Sequence, residues 1–166
     1  MRKIVLLSDT HGSLDDRIFT HLKKADEIWH AGDIGSLDII NKLQEYASIK
    51  AVWGNIDNNR IRTEFEETVV FMCENVKVLI MHIGGYPEKY SKKGLALIQD
   101  IKPNLFISGH SHILKVIYDN KYQLLHMNPG AIGNSGCHKI KTILCFDIHK
   151  KEIKNLRIVE FPRKKI

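Results

Sequence analysis

Runs of apolar residues separated by amphipathic segments dominate the first third of the chain. The run at about 4–7 is typical of a strand buried on both faces, and the segments at 27–31 and 49–53 predict two further strands. Between them, apolar residues recur at helical spacing over about 14–25 and 37–47, which predicts two helices. Because strands and helices alternate, the pattern indicates a parallel sheet with helical crossovers.

The remaining two thirds of the chain change character. Pairs of short apolar stretches joined by a few polar residues predict three β-hairpins, at 68–82, 113–127 and 141–161. A helix over 91–101 and one further buried strand over 104–108 are expected between the first two hairpins. The order of elements predicts an α/β fold in which hairpins are added to a parallel sheet.

Length and composition predict one globular domain spanning residues 1–166, with 43% hydrophobic and 27% charged residues. No apolar run reaches the roughly 20 residues of a membrane span, so no membrane association is expected. The N-terminus lacks a signal-peptide pattern, and the three cysteines are an odd number without metal-type spacing. Reduced thiols and a cytoplasmic location are therefore expected.

The 25 lysines and arginines outnumber the 19 acidic residues, giving a net charge of +6. Part of this excess lies in the tail at 163–166. Such a tail either attracts phosphates and nucleic acid or is a solvated chain end. No aromatic residues interleave with it to stack bases, which favours the solvated end and makes a nucleic-acid partner unexpected.

Side chains that can bind metal follow five of the predicted strands. They are Asp9 and His11, Asp33, Asn55, His82, and the pair His110 and His112. Ligands collect at the carboxyl ends of strands in open α/β sheets, so these groups are expected to converge. Each motif alone is common in turns or on surfaces. Seven nitrogen and oxygen ligands exceed the needs of one ion, and two divalent ions sharing a carboxylate would use them all.

These motifs resemble those of the calcineurin-like metallophosphoesterase superfamily. The short length and the Gly-Asn-x-Asp and Asn128-Pro-Gly130 motifs are similar to its small bacterial and archaeal phosphodiesterase branch, whose fold the retromer subunit Vps29 shares. The resemblance covers about residues 1–135. It implies a four-layer α-β-β-α sandwich with two facing mixed sheets, and a metal site at the C-terminal ends of the strands.

The resemblance also implies two metal-ligand sets that share Asp33 as a bridge. The first set is Asp9, His11, Asp33 and His112, and the second is Asp33, Asn55, His82 and His110. Imidazole, carboxylate and amide donors suit Mn, Fe, Co, Ni or Zn, and the absence of thiolates disfavours a purely structural zinc. Two divalent ions per chain are expected, with Mn²⁺ as the first choice.

The function implied is a metal-dependent phosphoesterase, specifically a phosphodiesterase in which a metal-bridging hydroxide attacks a small phosphodiester. Asn55 and His82 are also assigned to substrate binding. Two alternatives remain: a Vps29-like protein-interaction scaffold, which would not need all seven ligands, and a nuclease, for which the chain offers no evident DNA-binding appendage. The chain is compatible with a homo-oligomer.

Two positions depart from the superfamily pattern. Many members carry a histidine where this chain has Ile56, and that histidine helps protonate the leaving group. Isoleucine cannot donate a proton, so Asn55 and Asp57 are the remaining candidates for a catalytic residue on this loop. Ile83 separates His82 from Gly84, which changes the expected path of that loop.

Three other histidines carry smaller expectations. His30 either is structural or donates a hydrogen bond to a metal ligand, and these two roles are left open. His126 is expected to be structural because it lies within a strand. His138 follows a Gly/Asn/Ser-rich loop and could reach a substrate, but this role is not the favoured one.

Overall fold

The computed structural model describes residues 1–163 and contains two five-stranded sheets and one short two-stranded ribbon. The strands are β1 (Arg2–Leu7), β2 (Glu27–His30), β3 (Ser48–Ala51), β4 (Thr68–Cys73), β5 (Val76–Met81), β6 (Gly85–Tyr86), β7 (Lys89–Tyr90), β8 (Leu105–Ile107), β9 (Leu114–Asp119), β10 (Leu124–Pro129), β11 (Ile140–His149) and β12 (Glu152–Pro162). The helices are α1 (Phe19–Leu22), α2 (Leu37–Gln44), α3 (Asn59–Glu64) and α4 (Lys92–Ile101).

Both large sheets are mixed. The first has the order β12-β11-β1-β2-β3, and the second has the order β4-β5-β8-β10-β9. Strands β1, β2 and β3 run parallel, as do β5, β8 and β10, while β11 pairs antiparallel with β1. The predicted α/β class, with β-hairpins added to parallel strands, is therefore confirmed.

The two sheets pack face to face, with helices on their outer surfaces. Alternate residues of β1 show this arrangement, since Ile4 and Leu6 join the core between the sheets while Val5 and Leu7 pack towards the helices of the first sheet. On the second sheet, Ile98 of α4 packs in a separate outer cluster. The four-layer α-β-β-α arrangement is thus confirmed.

The helices differ from the sequence prediction in two places. The helix predicted over 14–25 is a 3₁₀ helix at Asp16–Ile18 followed by the single turn of α1, and tighter i→i+3 bonds then carry the chain to Ala25. The prediction missed α3, whose six residues show no apolar stripe. Asn58 caps it by accepting a hydrogen bond from the Ile61 N–H at 3.1 Å.

The second hairpin also corrects the prediction. Its loop covers 120–123 rather than two residues, because the Asp119 carboxylate accepts hydrogen bonds from the backbone N–H groups of Lys121 and Tyr122. The predicted turn at Asn128-Pro-Gly130 begins inside β10, which includes both Asn128 and Pro129. Gly130 alone adopts a left-handed conformation, with a φ of 73°.

The structure describes only part of the basic tail and all three cysteines. The prediction for the basic tail falls mostly outside the described residues, which end at Arg163, whose guanidinium donates to the backbone carbonyls of Gly136 and His138. All three cysteines are free. Within residues 1–163, no helix combines the length and apolar character needed to cross a membrane.

His126 is a fully buried histidine far in sequence from the metal-binding motifs. Its ring packs against Phe106, with centroids 5.5 Å apart, and neither ring nitrogen makes a hydrogen bond. Burial, with a further contribution from the charge of Lys115, lowers the pKa of His126 to about 4. This residue is therefore neutral in the folded protein at physiological pH.

We expect His126 to make the fold acid-sensitive. The unfolded chain binds the proton at a pKa of about 6.5, so stability falls as pH drops from that value towards the folded pKa of about 4. His126→Phe should remove about 2 kcal/mol of the loss in unfolding free energy near pH 5. Urea titrations near pH 5 and near pH 7.5 measure this, with His149→Phe at the end of β11 as control. An unchanged acid loss in His126→Phe would contradict the assignment.

Candidate metal centre

The predicted ligands all lie on loops that follow strands, and backbone hydrogen bonds draw these loops together. The Asp9 N–H donates to Gly32 O and the His11 N–H donates to Asp33 O, both at 3.0 Å, which joins the loops after β1 and β2. In the second sheet, the Gly109 N–H donates to the carbonyl of His82 at 3.0 Å. The carboxyl ends of the parallel strands in both sheets therefore meet at one edge of the sandwich.

Six of the seven predicted ligands form two compact groups. In each group, one potential ligand atom from every residue lies within 4.8 Å of the others. The first group is Asp9, His11 and His112, and the second is Asp33, His82 and His110. This division follows the two ligand sets implied by the superfamily resemblance.

Asp33 faces both groups through different oxygens. Its Oδ1 lies 3.2 Å from His82 Nε2, and its Oδ2 lies 3.5 Å from His11 Nε2 in the other group. Asp9 approaches the histidines only through Oδ1, which is 3.1 Å from His112 Nε2, because its Oδ2 accepts a hydrogen bond from the His110 N–H. Asp33 is therefore the carboxylate placed to serve both groups.

Two buried atoms at the centre make no hydrogen bond: Asp9 Oδ1 and His82 Nε2. The Nδ1–H of His82 donates to the Ala31 carbonyl at 2.7 Å, which leaves the Nε2 lone pair of the neutral ring directed at the carboxylates. A buried polar atom without a partner is costly, and a cation between the two groups would satisfy both atoms. The residues present therefore fit a metal site made of nitrogen and oxygen donors.

The charges of the site support each other. Burial alone would raise the pKa of Asp9, but the nearby imidazoles of His11 and His112 outweigh it and hold the pKa well below its ordinary value. Burial alone would lower the pKa of His82, but contact with Asp33 raises it above its ordinary value. Two ionised carboxylates thus lie in a largely buried pocket, where they favour bound cations.

The backbone at this site is unusual. Positive φ angles occur at five predicted ligands: Asp9 (55°), His11 (46°), Asp33 (55°), His110 (68°) and His112 (59°). Aspartate and histidine tolerate the left-handed region better than most residues, but it still costs free energy. Such strain clusters at functional sites, where the surrounding structure holds side chains in fixed directions.

Glycines at two positions make room for the ligands. A Cβ atom on Gly32 would lie 2.6 Å from His82 Nδ1, and Gly32 has a φ of 98°. A Cβ atom on Gly109 would lie 2.8 Å from the Ala31 carbonyl and 3.0 Å from Asp9 Oδ2. The backbone at both points therefore packs directly against a ligand side chain.

The structure shows His30 as a positioning residue that lies behind the metal ligands. Its Nδ1 accepts a hydrogen bond from the Gly32 N–H, so its Nε2–H donates to Thr10 Oγ1 at 2.9 Å. Burial lowers the pKa of His30 to about 3, which keeps the ring neutral. Thr10 Oγ1 in turn donates to the Ile34 carbonyl at 2.8 Å. His30 and Thr10 therefore brace the loops that carry Asp9 and Asp33, without contacting a ligand side chain by hydrogen bond.

Asn55 and Asp57, on the loop after β3, lie in different surroundings. The Asp57 carboxylate is buried and accepts hydrogen bonds from the N–H groups of Ile34, Gly35 and Gly54, at 3.1, 2.7 and 2.7 Å. These bonds join the loops after β2 and β3. The Asn55 side chain is exposed, and its role as a ligand remains a prediction. The Ile56 N–H donates a hydrogen bond to Asp33 Oδ1 at 3.1 Å.

His138 lies closer to the metal centre than sequence spacing alone indicated. Its ring packs edge-on against His112, with centroids 5.3 Å apart. Its Nε2–H donates to the Gly133 carbonyl at 3.1 Å, and its buried Nδ1 makes no hydrogen bond. The Gly133 N–H donates to the Asp9 carbonyl, so the loop before β11 packs against the loop after β1.

Comparison with known proteins identifies relatives of this chain. A family model described as the calcineurin-like phosphoesterase superfamily domain matches residues 1–151. A probable metallophosphoesterase of Methanothermobacter thermautotrophicus is 27% identical over 135 residues, which cover 77% of this chain and 76% of that protein. A probable metallophosphoesterase of Methanocaldococcus jannaschii is 29% identical over 155 residues, covering 89% of this chain and 77% of that protein.

Solved structures share the fold at lower sequence identity. A Vps29 single mutant from Entamoeba histolytica matches with a TM-score of 0.76 at 16% identity, covering 98% of this chain and 99% of that chain. A conserved Streptococcus pneumoniae protein described as a predicted phosphoesterase matches with a TM-score of 0.68 at 21% identity, covering 98% of both chains. These structures show that the chain shares the Vps29 fold.

Proposed function

The chain belongs to the calcineurin-like phosphoesterase superfamily, a family of metal-dependent phosphoesterases, and we propose that it hydrolyses small phosphodiesters with two bound divalent ions. The observation that carries this proposal is the pair of facing groups, Asp9-His11-His112 and Asp33-His82-His110, with Asp9 Oδ1 and His82 Nε2 left without hydrogen bonds between them.

The seven predicted ligands would hold the two ions. Asp33 would contribute to both sites, and Asn55 would complete the second site from its exposed loop. Mn²⁺ is the proposed occupant, since imidazole and carboxylate donors suit it, and the same donors accept Fe, Co, Ni or Zn. A Vps29 structure from Entamoeba histolytica is described as a complex with zinc, so that protein of the same fold binds a divalent ion.

Two divalent cations at such a site lower the pKa of bound water and neutralise charge on a phosphoryl group. The remaining contributions come from the protein. The bond from His82 Nδ1–H to the Ala31 carbonyl fixes the ring direction, and His30 and Thr10 brace the loops of the two carboxylates. Asn55 and His82 would contact the phosphate.

The composition of the site loops supports a diester substrate. Six loops surround the centre, at 8–12, 32–36, 54–58, 82–86, 109–113 and 131–137, and none of them contains a lysine or an arginine. A phosphomonoester carries about one more negative charge than a diester at neutral pH. Site loops without lysine or arginine favour the monoanionic diester and offer few contacts to a nucleic-acid backbone.

A panel assay of the metal-reconstituted protein tests this proposal. We expect turnover of p-nitrophenyl phosphodiesters, little turnover of phosphomonoesters, and none of an oligonucleotide. Reconstitution in parallel with Mn²⁺, Zn²⁺, Ni²⁺ and Co²⁺ identifies the preferred ion. Fast monoester hydrolysis would contradict the diester assignment, and oligonucleotide cleavage would favour the nuclease.

The alternative function is a Vps29-like interaction scaffold. The fold match to Vps29 across 98% of the chain favours it. Metal content does not separate the two functions, since Entamoeba histolytica Vps29 is described in complex with zinc. Absence of turnover for every ester in the panel, with two ions bound, would therefore favour the scaffold.

A further inference from the structure

Three exposed isoleucines directly follow three of the predicted metal ligands. They are Ile56 after Asn55, Ile83 after His82, and Ile113 after His112. Their exposed fractions are 45%, 46% and 62%. Neighbouring Cα atoms in a chain lie about 3.8 Å apart. The Cα atom of each isoleucine therefore lies about that far from the Cα atom of a predicted metal ligand. We call this set the isoleucine rim.

The rim differs from the rest of the site. Ile34, which directly follows Asp33, is fully buried, so an isoleucine after a ligand is not exposed by necessity. The loops that carry Ile83 and Ile113 are joined by a hydrogen bond, which the Gly109 N–H donates to the His82 carbonyl. Single exposed apolar residues are ordinary, but three that each adjoin a predicted ligand of one metal centre indicate a binding surface.

The charges near the opening point to the same kind of ligand. The two arginines that approach the site loops donate to backbone carbonyls. Arg62 Nε donates to the Asp57 carbonyl at 2.7 Å while its guanidinium stacks on Trp53, and Arg163 donates to the Gly136 carbonyl at 2.6 Å. The site loops themselves contribute no lysine or arginine to a polyanionic group. Lys115, whose Nζ lies 3.6 Å from the centroid of the Tyr86 ring, is a cation beside one of these loops.

We propose that the isoleucine rim binds the organic group of the substrate, so that the enzyme prefers phosphodiesters whose retained substituent is an alkyl or aryl group. This inference rests on the proposed phosphodiesterase function and names the substrate class for that site. A phosphate held at the metal centre places its ester substituents at the opening, where an apolar substituent buries surface against the rim. A nucleoside or a sugar phosphate would bring polar groups against the apolar side chains of the rim.

Two substrates with one leaving group test the preference. Hexyl p-nitrophenyl phosphate and methyl p-nitrophenyl phosphate release the same phenolate and differ only in the retained alkyl chain. A buried methylene is worth roughly fourfold, so we expect wild type to favour the hexyl ester in kcat/KM by about tenfold or more. Ile83→Ser combined with Ile113→Ser should bring the hexyl-to-methyl ratio close to one.

A matched control and a second measurement accompany the kinetics. Ile158→Ser changes an isoleucine of β12 that is 51% exposed and remote in sequence from the site, and it should retain the wild-type ratio. Calorimetric titration with hexylphosphonate and methylphosphonate, which cannot be hydrolysed, should give tighter binding of the hexyl compound and a more negative heat-capacity change in wild type alone. Thermal melts verify that every variant is folded.

The outcomes separate this inference from the proposed function. Lack of turnover for both esters, with two ions bound, would refute the proposed function, and the phosphonate titration would still test the rim. Normal turnover with a hexyl-to-methyl ratio of kcat/KM near one in both wild type and the double variant would refute the proposed role of the isoleucine rim. A wild-type preference that survives in the double variant would place the apolar contact elsewhere and overturn the inference.

Discussion

Replacing Asp33 by alanine should remove both proposed metal ions and lower kcat/KM by about 10³-fold or more, because the two cations would supply both the nucleophile and the charge neutralisation. The two oxygens of Asp33 face histidines in different groups, His82 and His11. One substitution therefore removes a ligand from both sites. Elemental analysis after reconstitution should give about two ions per chain for wild type and close to none for the variant.

A graded series makes this result specific. His82→Ala removes a residue from one group only and should mainly weaken one ion. Asp100→Ala, at an exposed position in α4, is the matched control and should keep both ions and normal turnover. Near-normal activity or two retained ions in Asp33→Ala would refute the bridging role and, with it, the shared site.

Asp57→Ala should be the most destabilising change on the loop after β3. Its carboxylate is the acceptor for three N–H groups, from Ile34, Gly35 and Gly54. A buried donor left without its partner costs about 1–3 kcal/mol, so the free energy of unfolding should fall by about 3 kcal/mol or more. Urea titration measures the change.

The same variant distinguishes a structural carboxylate from a catalytic one. Asp57→Asn keeps the shape and one acceptor oxygen, so its stability should lie between those of wild type and Asp57→Ala. Asp100→Ala again serves as the exposed control. An Asp57→Ala protein as stable as wild type but without turnover would return Asp57 to the chemistry of the leaving group.

The fold was largely predictable because its central strands are apolar runs. The runs that became β1 and β2 are largely buried on both faces, and such runs are the clearest local signal of parallel strands, whereas β3 lies at the sheet edge and is only partly buried. The elements that sequence reasoning missed are short and depend on distant or side-chain contacts. The helix α3 depends on the Asn58 cap, and the two-residue strands of the β6-β7 ribbon are too short for any periodicity.

The residues bracing the site were the least predictable part. A histidine before a Gly-Asp motif gave no sign that His30 bonds both Gly32 and Thr10. Asp57 looked available for chemistry, because the sequence does not reveal that N–H groups more than 20 residues away occupy its oxygens. Such partners are set by how loops from separate strands pack, which no local pattern records.

The sequence by itself determined which side chains stand at the ends of which strands. Strand periodicity and the glycines of the turns are local properties, and together they selected Asp9, His11, Asp33, His82, His110 and His112 before any contact was known. Only the tertiary structure shows how these residues meet across the two sheets and which of their atoms face one another. His11 and His112 lie 101 residues apart in the chain, yet their Nε2 atoms are 3.4 Å apart, because the loop after β8 packs against the loop after β1. That packing also decided which polar atoms stay without hydrogen bonds and which isoleucines stay exposed.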